Sequence, residues 1–431
     1  MTETLIPHLR FFHGVVTVPG DKSLGHRALM LASLANGVSV IQGLPPGADV
    51  RATRSVLERL GIRIEDLEDG SVRVHGAGGR FVVPAEPLDC ANSGTTMRLM
   101  AGICAGAGVR ASLIGDESLM KRPMERVAAP LREMGAQIRT NDGKPPLDIW
   151  PGRPPVPLRA GAFETGVASA QVKSAILLAG LFAKGRTTVC EPAQSRDHTE
   201  RFLRHLGLVC AFSGTHAEIC GPNLPAPFTF SVPGDPSSAA FPAAIAAIRP
   251  ASRVRVTNVL ANPLRLGFFR ALERMGAKVE YGPLVPCGPE ETTDVTVTHG
   301  PLAGTEISGD LTLDALDELP LLALLGAFAT GRTIIRDAAE LRHKESDRVA
   351  STAAMIRALG GRVEERPDGM IVEGGMDLRA GIIDAGRDHR IALCGAVAGS
   401  HLPGVRVRNF AISEVSYPGF LDILKNAAEE R

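Results

Sequence analysis

The sequence predicts an α/β protein made of two similar halves, each built from three units of about 70 residues. Three observations lead to this fold class. A helix end that closes on glycine recurs along the chain, an apolar helix rich in alanine recurs between those ends, and one short motif occurs twice. These repeats run through most of the 431 residues, which favours repeated α/β subdomains over a single undivided domain.

The recurring helix ends define the units. Five segments have the pattern of a helix that closes on an apolar residue and glycine, at 56–61, 130–135, 202–207, 271–276 and 355–360. The closing glycines are spaced by 69 to 84 residues, and glycine after a helix favours a left-handed cap. Alternating residues follow most of these ends and predict strands. A last helix from Phe420 to Lys425 is expected to close a sixth unit without glycine.

A second type of helix lies between these ends. The segments 27–37, 174–185 and 320–331 consist mostly of alanine, leucine and other small or apolar residues and end on glycine. Helices that are apolar on most faces are buried. Each is followed by a short strand-like run, so we expect a unit to contain two helices and several strands.

The third observation divides the chain in two. V-P-G-D-K-S at 18–23 is matched by V-P-G-D-P-S at 232–237, 214 residues later. We therefore expect two similar halves, and clefts between such halves are common ligand sites. The proline-rich stretch 144–158 predicts a surface loop between units.

Composition excludes several classes of protein. Lys and Arg together number 47, as do Asp and Glu, which argues against a general binder of nucleic acid or acidic membranes. The longest apolar run, 319–329, is too short to span a bilayer, and the first ten residues lack the pattern of a secretory signal. Seven scattered cysteines without a C-x-x-C pair predict a cytoplasmic protein without a disulfide framework. No H-E-x-x-H or similar cluster is present, so we expect no metal.

Charged and polar residues cluster where helices are predicted to begin. A helix start attracts anions through its free N–H groups and its dipole, although each cluster taken alone is also explained by ordinary capping or a solvated surface. The clusters are P-G-D-K-S-L-G-H-R (19–27), A-N-S-G-T-T-M-R (91–98), G-D-E-S-L-M-K-R-P-M (115–124), A-S-A-Q-V-K-S-A (168–175), S-R-D-H-T-E (195–200), D-E-L-P (317–320), E-L-R-H-K-E-S-D-R (340–348) and D-H-R (388–390).

If these helix starts converge, they form a basic cleft that also contains carboxylates. Such a cleft suits one or two polyanionic small molecules and acid–base chemistry, with Asp317 and Glu345 as candidate proton carriers. Its candidate cations are Lys22, Arg27, Arg122, Lys344, Arg348 and Arg390.

The eight clusters, in this order and over essentially the whole chain, resemble the motifs of the 5-enolpyruvylshikimate-3-phosphate (EPSP) synthases. The resemblance implies an inside-out α/β barrel architecture of two domains, each with three repeated βαβαββ units. It implies a discontinuous first domain of residues 1–20 and 233–431, a second domain of residues 21–232, and an active site in the cleft between them.

The resemblance also implies an activity: transfer of the enolpyruvyl group of phosphoenolpyruvate to the 5-hydroxyl of shikimate 3-phosphate, with release of phosphate. It implies a monomeric, cytoplasmic transferase of aromatic amino-acid biosynthesis that needs no metal or organic cofactor and binds neither nucleic acid nor membranes. Glyphosate would occupy the phosphoenolpyruvate site, where Gly94 leaves room for it.

Residue roles follow from the same resemblance. Asp317, Glu345 and Lys22 are expected to be catalytic. Shikimate 3-phosphate is expected to contact Lys22, Ser23, Arg27, Ser169, Ala170, Gln171, Ser195, Arg196, Asp317 and Lys344. Phosphoenolpyruvate is expected to contact Lys22, Gly94, Arg122, Gln171, Arg348, His389 and Arg390.

The sequence departs from some relatives at two positions. Val415 stands where they carry a lysine just before the final aromatic–proline pair, and Glu340 stands where they carry an asparagine. Two alternatives are kept. A UDP-N-acetylglucosamine enolpyruvyl transferase usually has a reactive cysteine in the loop matched by 115–124, and none is present here. A non-catalytic phosphometabolite-binding protein would gain nothing from Asp317 and Glu345.

Overall fold

The computed structural model describes residues 2–151 and 158–429. Its α-helices are α1 (Lys22–Leu34), α2 (Ala48–Arg59), α3 (Gly94–Gly106), α4 (Glu125–Glu133), α5 (Ala170–Gly180), α6 (His198–His205), α7 (Pro236–Ile248), α8 (Gly267–Arg274), α9 (Asp310–Asp314), α10 (Leu319–Phe328), α11 (Arg348–Ala358), α12 (His389–His401) and α13 (Phe420–Glu429).

Short strands alternate with these helices. They are β1 (Glu3–Leu5), β2 (His13–Thr17), β3 (Asn36–Gln42), β4 (Arg63–Asp66), β5 (Val72–Ala77), β6 (Leu88–Asp89), β7 (Ala111–Ile114), β8 (Gln137–Asn141), β9 (Lys144–Trp150), β10 (Ala162–Glu164), β11 (Gly185–Cys190), β12 (Cys210–Ser213), β13 (His216–Gly221), β14 (Thr229–Ser231), β15 (Arg253–Leu260), β16 (Lys278–Tyr281), β17 (Val285–Cys287), β18 (Glu290–Thr298), β19 (Glu306–Ile307), β20 (Arg332–Ile335), β21 (Arg362–Arg366), β22 (Gly369–Glu373), β23 (Ile382–Asp384) and β24 (Arg406–Arg408).

The chain divides into two compact units. The N unit contains residues 20–232 and 286–290, and the C unit contains residues 1–19, 233–285 and 291–431.

Sheets of one topology recur in the N unit. Their strand orders are β14-β3-β5-β4, β6-β7-β9-β8 and β10-β11-β13-β12. In each sheet the first two strands in this order are parallel, and the last two form an antiparallel hairpin. The strand of the hairpin that comes later along the chain lies in the interior of the sheet. A helix connects the two parallel strands in β6-α3-β7 and β10-α5-β11, as parallel pairing requires.

The C unit repeats this topology with one reduced sheet. The orders β2-β15-β18-β16 and β19-β20-β22-β21 match those of the N unit, and β17 adds to the first of them by pairing with β18. The remaining sheet has the order β1-β24-β23. It keeps the parallel pair β23 and β24, and β1 from the chain start pairs antiparallel with β24.

The chain passes from one unit to the other at two strand-to-helix connections. Strand β2 lies in the C unit, parallel to β15, but the next helix along the chain, α1, belongs to the N unit. Strand β14 lies in the N unit, parallel to β3, but the next helix, α7, belongs to the C unit. The V-P-G-D motif occupies both crossings, at 18–21 and 232–235.

One buried helix accompanies each sheet. These helices are α1, α3 and α5 in the N unit and α7, α10 and α12 in the C unit, and nearly all of their residues are buried. Small residues let them approach closely: a Cβ atom on Gly102 of α3 would lie 2.2 Å from the backbone oxygen of Ala175 in α5. The second helix of a unit, such as α2 or α8, buries only one face.

The predicted glycine caps are confirmed. The glycines all adopt positive φ, from +77° to +100°, at the second residue past the ends of α2, α4, α6, α8 and α11; they are Gly61, Gly135, Gly207, Gly276 and Gly360. The predicted last helix is also present, as α13. Local sequence therefore determined where these helices end.

The predicted loop at 144–158 is wrong in its first half. Residues 144–150 form β9, which lies between β7 and β8 with alternating burial. Both prolines of this segment stand at the start of the strand, where Leu147 and Ile149 supply the buried face and pair with β7. Residues 152–157 lie outside the described part of the chain.

Within residues 2–151 and 158–429, no helix has both the length and the apolar character needed to cross a membrane.

Candidate active site

The polar residues singled out in the sequence lie at or near the starts of the helices. Side chains cap four of the buried helices: Asp21 accepts from Leu24 N–H, Ser93 from Thr96 N–H, Asp235 from Ser237 N–H and Asp388 from Arg390 N–H. The caps satisfy only part of each helix start, so the remaining N–H groups and the helix dipole are available to anions.

At the start of α1, two cations have different partners. Lys22 forms a 2.9 Å ion pair with Asp49 at the start of α2, and 29% of the Lys22 side chain is exposed. Arg27 is buried and donates to two hydroxyl oxygens, Thr199 Oγ1 at 2.7 Å and Ser174 Oγ at 2.9 Å, and to the backbone oxygen of Ser23. Arg27 thereby joins α1 to the starts of α5 and α6.

Between these cations, His26 is completely buried. Its Nδ1 lies 2.6 Å from the hydroxyl oxygen of Thr53, which in turn lies 2.7 Å from that of Thr96. Burial lowers the pKa of His26 to about 3, so the ring is neutral at physiological pH.

At the start of α3, two guanidinium groups lie beside a glycine. A Cβ atom on Gly94 would lie 2.8 Å from Nη1 of Arg98 and 3.3 Å from Nη1 of Arg122. Arg98 donates to Gln171 Oε1 at 2.5 Å, and Arg122 donates to Asn92 Oδ1 at 2.6 Å. Both arginines are mostly buried, so this site places positive charge beside the start of a helix, whose dipole also favours anions.

The amide of Gln171 is fixed from both ends. Its oxygen accepts from Arg98, and its nitrogen donates to Thr95 Oγ1 at 2.9 Å.

At the start of α5, one buried carboxylate joins the two candidate serines. Glu191 accepts from the backbone N–H of Ser169 at 3.0 Å and from the hydroxyl of Ser195 at 2.7 Å. Lys173 forms ion pairs with Glu191 at 2.7 Å and with Glu200 at 2.8 Å. Ala170 is the first residue of α5, and Arg196 directly follows Ser195.

In the C unit, three cations surround Asp317, which precedes α10. Lys344 Nζ lies 3.3 Å and Arg348 Nη1 3.4 Å from Asp317 Oδ1, and Arg390 Nη2 lies 4.0 Å from Oδ2. Asp317 therefore lies among groups that also attract anionic ligands.

Arg348 is the central cation of this cluster and is almost completely buried. It binds Glu345 Oε2 at 2.6 Å and Asp388 Oδ2 at 2.9 Å. Burial alone would lower the pKa of Arg348, but the surrounding carboxylates raise it above the normal value, so the guanidinium remains charged. Burial also acts to raise the pKa of Asp388, and the attraction of Arg348 outweighs it, so that this pKa is lowered.

Arg390 is positioned by Glu318, the second carboxylate of D-E-L-P. Its Nη1 lies 3.3 Å from Glu318 Oε1, which also accepts a short hydrogen bond from Ser237. His389, the neighbour of Arg390, is buried as well.

The structure brings the candidates together within each unit. Asp317, Lys344, Glu345, Arg348 and Arg390 form one cluster in the C unit. In the N unit, Lys22 and Arg27 of α1 have separate partners, Gly94 and Gln171 lie beside Arg98, Gly94 also lies beside Arg122, and Ser169 and Ser195 share Glu191.

Several charged partners of these residues were not among the predicted site residues, including Asp49, Arg98, Glu191, Glu318 and Asp388. Arg98, Glu318 and Asp388 belong to motifs already quoted, so the motifs themselves were the available signal. Asp49 and Glu191 stand in no such motif.

Val415 ends a short 3-10 helix, Phe410–Val415. In residues 2–151 and 158–429, no group of three or more His, Cys, Asp or Glu side chains could hold a metal ion.

A family model described as EPSP synthase (3-phosphoshikimate 1-carboxyvinyltransferase) matches residues 10–424. The chain belongs to the EPSP synthase family. It is accordingly an enzyme of the transferase class.

Individual EPSP synthases agree with this assignment. The 3-phosphoshikimate 1-carboxyvinyltransferase of Gloeobacter violaceus is 46% identical over 426 residues, covering 98% of both chains. The enzyme of that name from Acidithiobacillus ferrooxidans is 44% identical over 429 residues, covering 99% of this chain and 98% of the relative.

Solved structures show the same architecture. The EPSP synthase of Acinetobacter baumannii is 37% identical, with a TM-score of 0.86 over 99% of this chain and 98% of that one. The enolpyruvyl transferase NikO from Streptomyces tendae is 21% identical, with a TM-score of 0.76 over 99% of this chain and 96% of that one, and shares the fold. The predicted enolpyruvyl transferase architecture is confirmed.

Proposed function

We propose that the enzyme transfers the enolpyruvyl group of phosphoenolpyruvate to the 5-hydroxyl of shikimate 3-phosphate and releases phosphate. Membership of the EPSP synthase family supports this reaction. The observation that carries it within the structure is Asp317, which places a carboxylate that can accept a hydroxyl proton within 4.0 Å of three cations that attract anionic substrates.

The N unit supplies most of the shikimate 3-phosphate contacts in this proposal. Ser169 and Ser195 are held by one carboxylate, and Gln171 is fixed by Arg98 and Thr95, so these polar groups are oriented before substrate arrives. The full set is Lys22, Ser23, Arg27, Ser169, Ala170, Gln171, Ser195 and Arg196, with Asp317 and Lys344 from the C unit.

Phosphoenolpyruvate requires more positive charge, because its phosphate and carboxylate groups are both anionic. Arg122 beside Gly94 in the N unit, and Arg348 and Arg390 in the C unit, offer planar guanidinium groups that suit such oxygens. Lys22, Gln171 and His389 complete the proposed set. We propose two domains, one of residues 1–20 and 233–431 and the other of residues 21–232. The proposed reaction requires that groups of both domains act on the same pair of substrates.

The addition step of the reaction needs two proton movements. The 5-hydroxyl must lose a proton as its oxygen bonds to the substituted carbon of phosphoenolpyruvate, and the methylene carbon must gain one. Asp317 takes the first role and Glu345 the second, while Lys22 balances negative charge between the substrates. Loss of phosphate together with a proton from the new methyl group then restores the double bond.

We also propose that the enzyme works as a cytoplasmic monomer without a metal or organic cofactor. These statements rest on the family resemblance and, for the compartment, on seven cysteines that are all free thiols. Light scattering of the purified protein tests whether it is a monomer, and activity after dialysis against a chelator tests whether it needs a metal.

The reaction is tested by mixing the purified enzyme with phosphoenolpyruvate and shikimate 3-phosphate. We expect one phosphate released for each enolpyruvyl ether formed, identified by mass spectrometry. UDP-N-acetylglucosamine in place of shikimate 3-phosphate is the control acceptor and should give no product. Turnover with this control alone would overturn the proposed function.

A further inference from the structure

We propose that Glu191, held by the buried ammonium group of Lys173, is a positioning residue for shikimate 3-phosphate. This inference rests on the proposed function. It concerns a side chain that belongs to none of the motifs found in the sequence and that acts through Ser169 and Ser195.

The hydrogen bonds of Glu191 converge on the two serines. Oε1 accepts from Ser169 N–H at 3.0 Å, and both carboxylate oxygens lie within hydrogen-bond distance of Ser195 Oγ, at 2.7 and 2.8 Å. Because an ionised carboxylate can only accept, the Ser195 hydroxyl must donate to it. One side chain thus fixes the start of α5 and the segment that leads into α6.

Lys173 makes this arrangement compatible with an anionic ligand. Its Nζ lies 2.7 Å from Glu191 Oε2, and it also lies 3.4 Å from the backbone oxygen of Ser195. A lone carboxylate behind two serines that contact shikimate 3-phosphate would repel this anionic ligand, and the adjacent ammonium group offsets that charge. Lys173 and Glu191 therefore act together in positioning Ser169 and Ser195.

The burial of the cluster indicates that it is not kept for stability alone. The side chains of Lys173, Glu191 and Glu200 are exposed by only 3%, 0% and 1%. Buried ion pairs lose much of their Coulomb energy to desolvation, and apolar replacements of similar size often serve stability equally well. Glu200 Oε2 even lacks a hydrogen-bond partner, which adds to the cost.

Glu191 and Glu200 form a matched pair for an experiment. Both are buried glutamates bound to the same lysine, but the hydrogen bonds of Glu200 do not reach the serines. In Glu191→Gln, Lys173 retains Glu200, and in Glu200→Gln it retains Glu191. Loss of an ion pair to Lys173 is common to both variants, whereas only the first disturbs Ser169 and Ser195.

We expect Glu191→Gln to raise the KM for shikimate 3-phosphate about ten-fold or more, the effect of one lost charge-assisted hydrogen bond. The KM for phosphoenolpyruvate should change by less than about three-fold, and Glu200→Gln should alter neither value by more than that. Calorimetric titration with shikimate 3-phosphate alone measures the same difference without turnover. Equal KM increases in the two variants would overturn the inference.

Two further measurements keep the result decisive. Glu191→Asp keeps the charge for Lys173 but withdraws the carboxylate from Ser195, so it should raise the same KM selectively even if Glu191→Gln does not fold. An unchanged KM in Glu191→Asp would contradict the proposal. Wild-type enzyme without any turnover of shikimate 3-phosphate would instead defeat the proposed function.

Discussion

The buried helices α1 and α7 begin with nearly the same residues, V-P-G-D-K-S and V-P-G-D-P-S, and both are 13 residues long. Asp21 and Asp235 cap them with nearly the same backbone conformation, with ψ of 120° and 121°, although Asp21 accepts from the third residue of its helix and Asp235 from the second. Lys22 follows the first cap and pairs with Asp49, whereas Pro236 follows the second. The cap belongs to the fold, and the charge on the next residue belongs to the candidate site.

The difference continues along the two helices. Arg27 of α1 reaches the hydroxyls of Ser174 and Thr199, while Phe241 at the matching position of α7 packs against Phe420, with 6.0 Å between ring centroids. Repetition of a unit therefore reproduces its backbone and its cap, but one copy has polar chemistry where the other has apolar core.

The largest effect is expected at α10, in the same unit as the apolar α7. Asp317→Asn should lower kcat by about 10²- to 10⁴-fold with little change in either KM, since the amide cannot accept the hydroxyl proton. Asp310→Asn, an exposed position of the same unit, is the control. Near-normal turnover of Asp317→Asn in steady-state assays would remove Asp317 from the chemistry.

The second prediction converts the start of α1 into that of α7. Proline suits the first helical position, and Asp21 already has the extended backbone that a following proline requires, so Lys22→Pro should fold normally. It should nevertheless lower kcat/KM by about 100-fold, because the charge is lost. Lys22→Ala should lower kcat/KM by a similar factor. Retained activity in both variants would show that the charge is dispensable.

The third prediction uses His26, which matches Ala240 of α7. Because burial lowers the pKa of His26 to about 3, the unfolded chain binds more protons than the folded one between pH 6.5 and 3. The contribution of His26 to the free energy of unfolding is therefore fully present above pH 6.5. It falls as the pH drops, by up to about 1.4 kcal/mol per pH unit. His401, with a pKa lowered to about 4, adds to the slope.

His26→Gln should reduce that slope, measured by urea unfolding between pH 6 and 4. The exposed His13→Gln is the control and should leave the slope unchanged. An identical slope in wild type and His26→Gln would contradict the neutral, buried state of the ring.

The fourth prediction concerns the start of α3, where two guanidinium groups lie close to Gly94. A methyl group in Gly94→Ala would displace the guanidinium ends of Arg98 and Arg122, which lie 2.8 and 3.3 Å from the new Cβ. We expect the inhibition constant of glyphosate to rise about ten-fold and the KM of phosphoenolpyruvate to rise less, because glyphosate is the longer ligand. Both are measured with saturating shikimate 3-phosphate, and equal increases would refute the steric explanation.

The smallest effect is expected at α7 itself. Pro236→Ala should lower the free energy of unfolding by about 0.5–1 kcal/mol, because the unfolded chain gains conformational freedom. Activity should remain within two-fold of wild type. A larger loss of activity would show that Pro236 itself contributes to the site.

Much of this molecule was predictable because it is encoded locally. The glycine caps at Gly61 and Gly276 follow from a backbone conformation that other residues resist, and the burial of α5 and α10 follows from their apolar composition. The candidate helix starts were found for the same reason, since a cap and its neighbouring charges are adjacent in sequence.

Tertiary structure alone decided which side chains meet. Glu191 lies 22 residues from Ser169, and Arg98 lies 73 residues from Gln171, so no sequence spacing indicates these contacts. Strand β9 was missed because its two prolines disfavour a strand locally, whereas pairing with β7 and β8 outweighs that preference. Local sequence determines caps, helices and their burial; the partners of buried charges depend on how distant segments pack, because only packing removes the water that would otherwise solvate them.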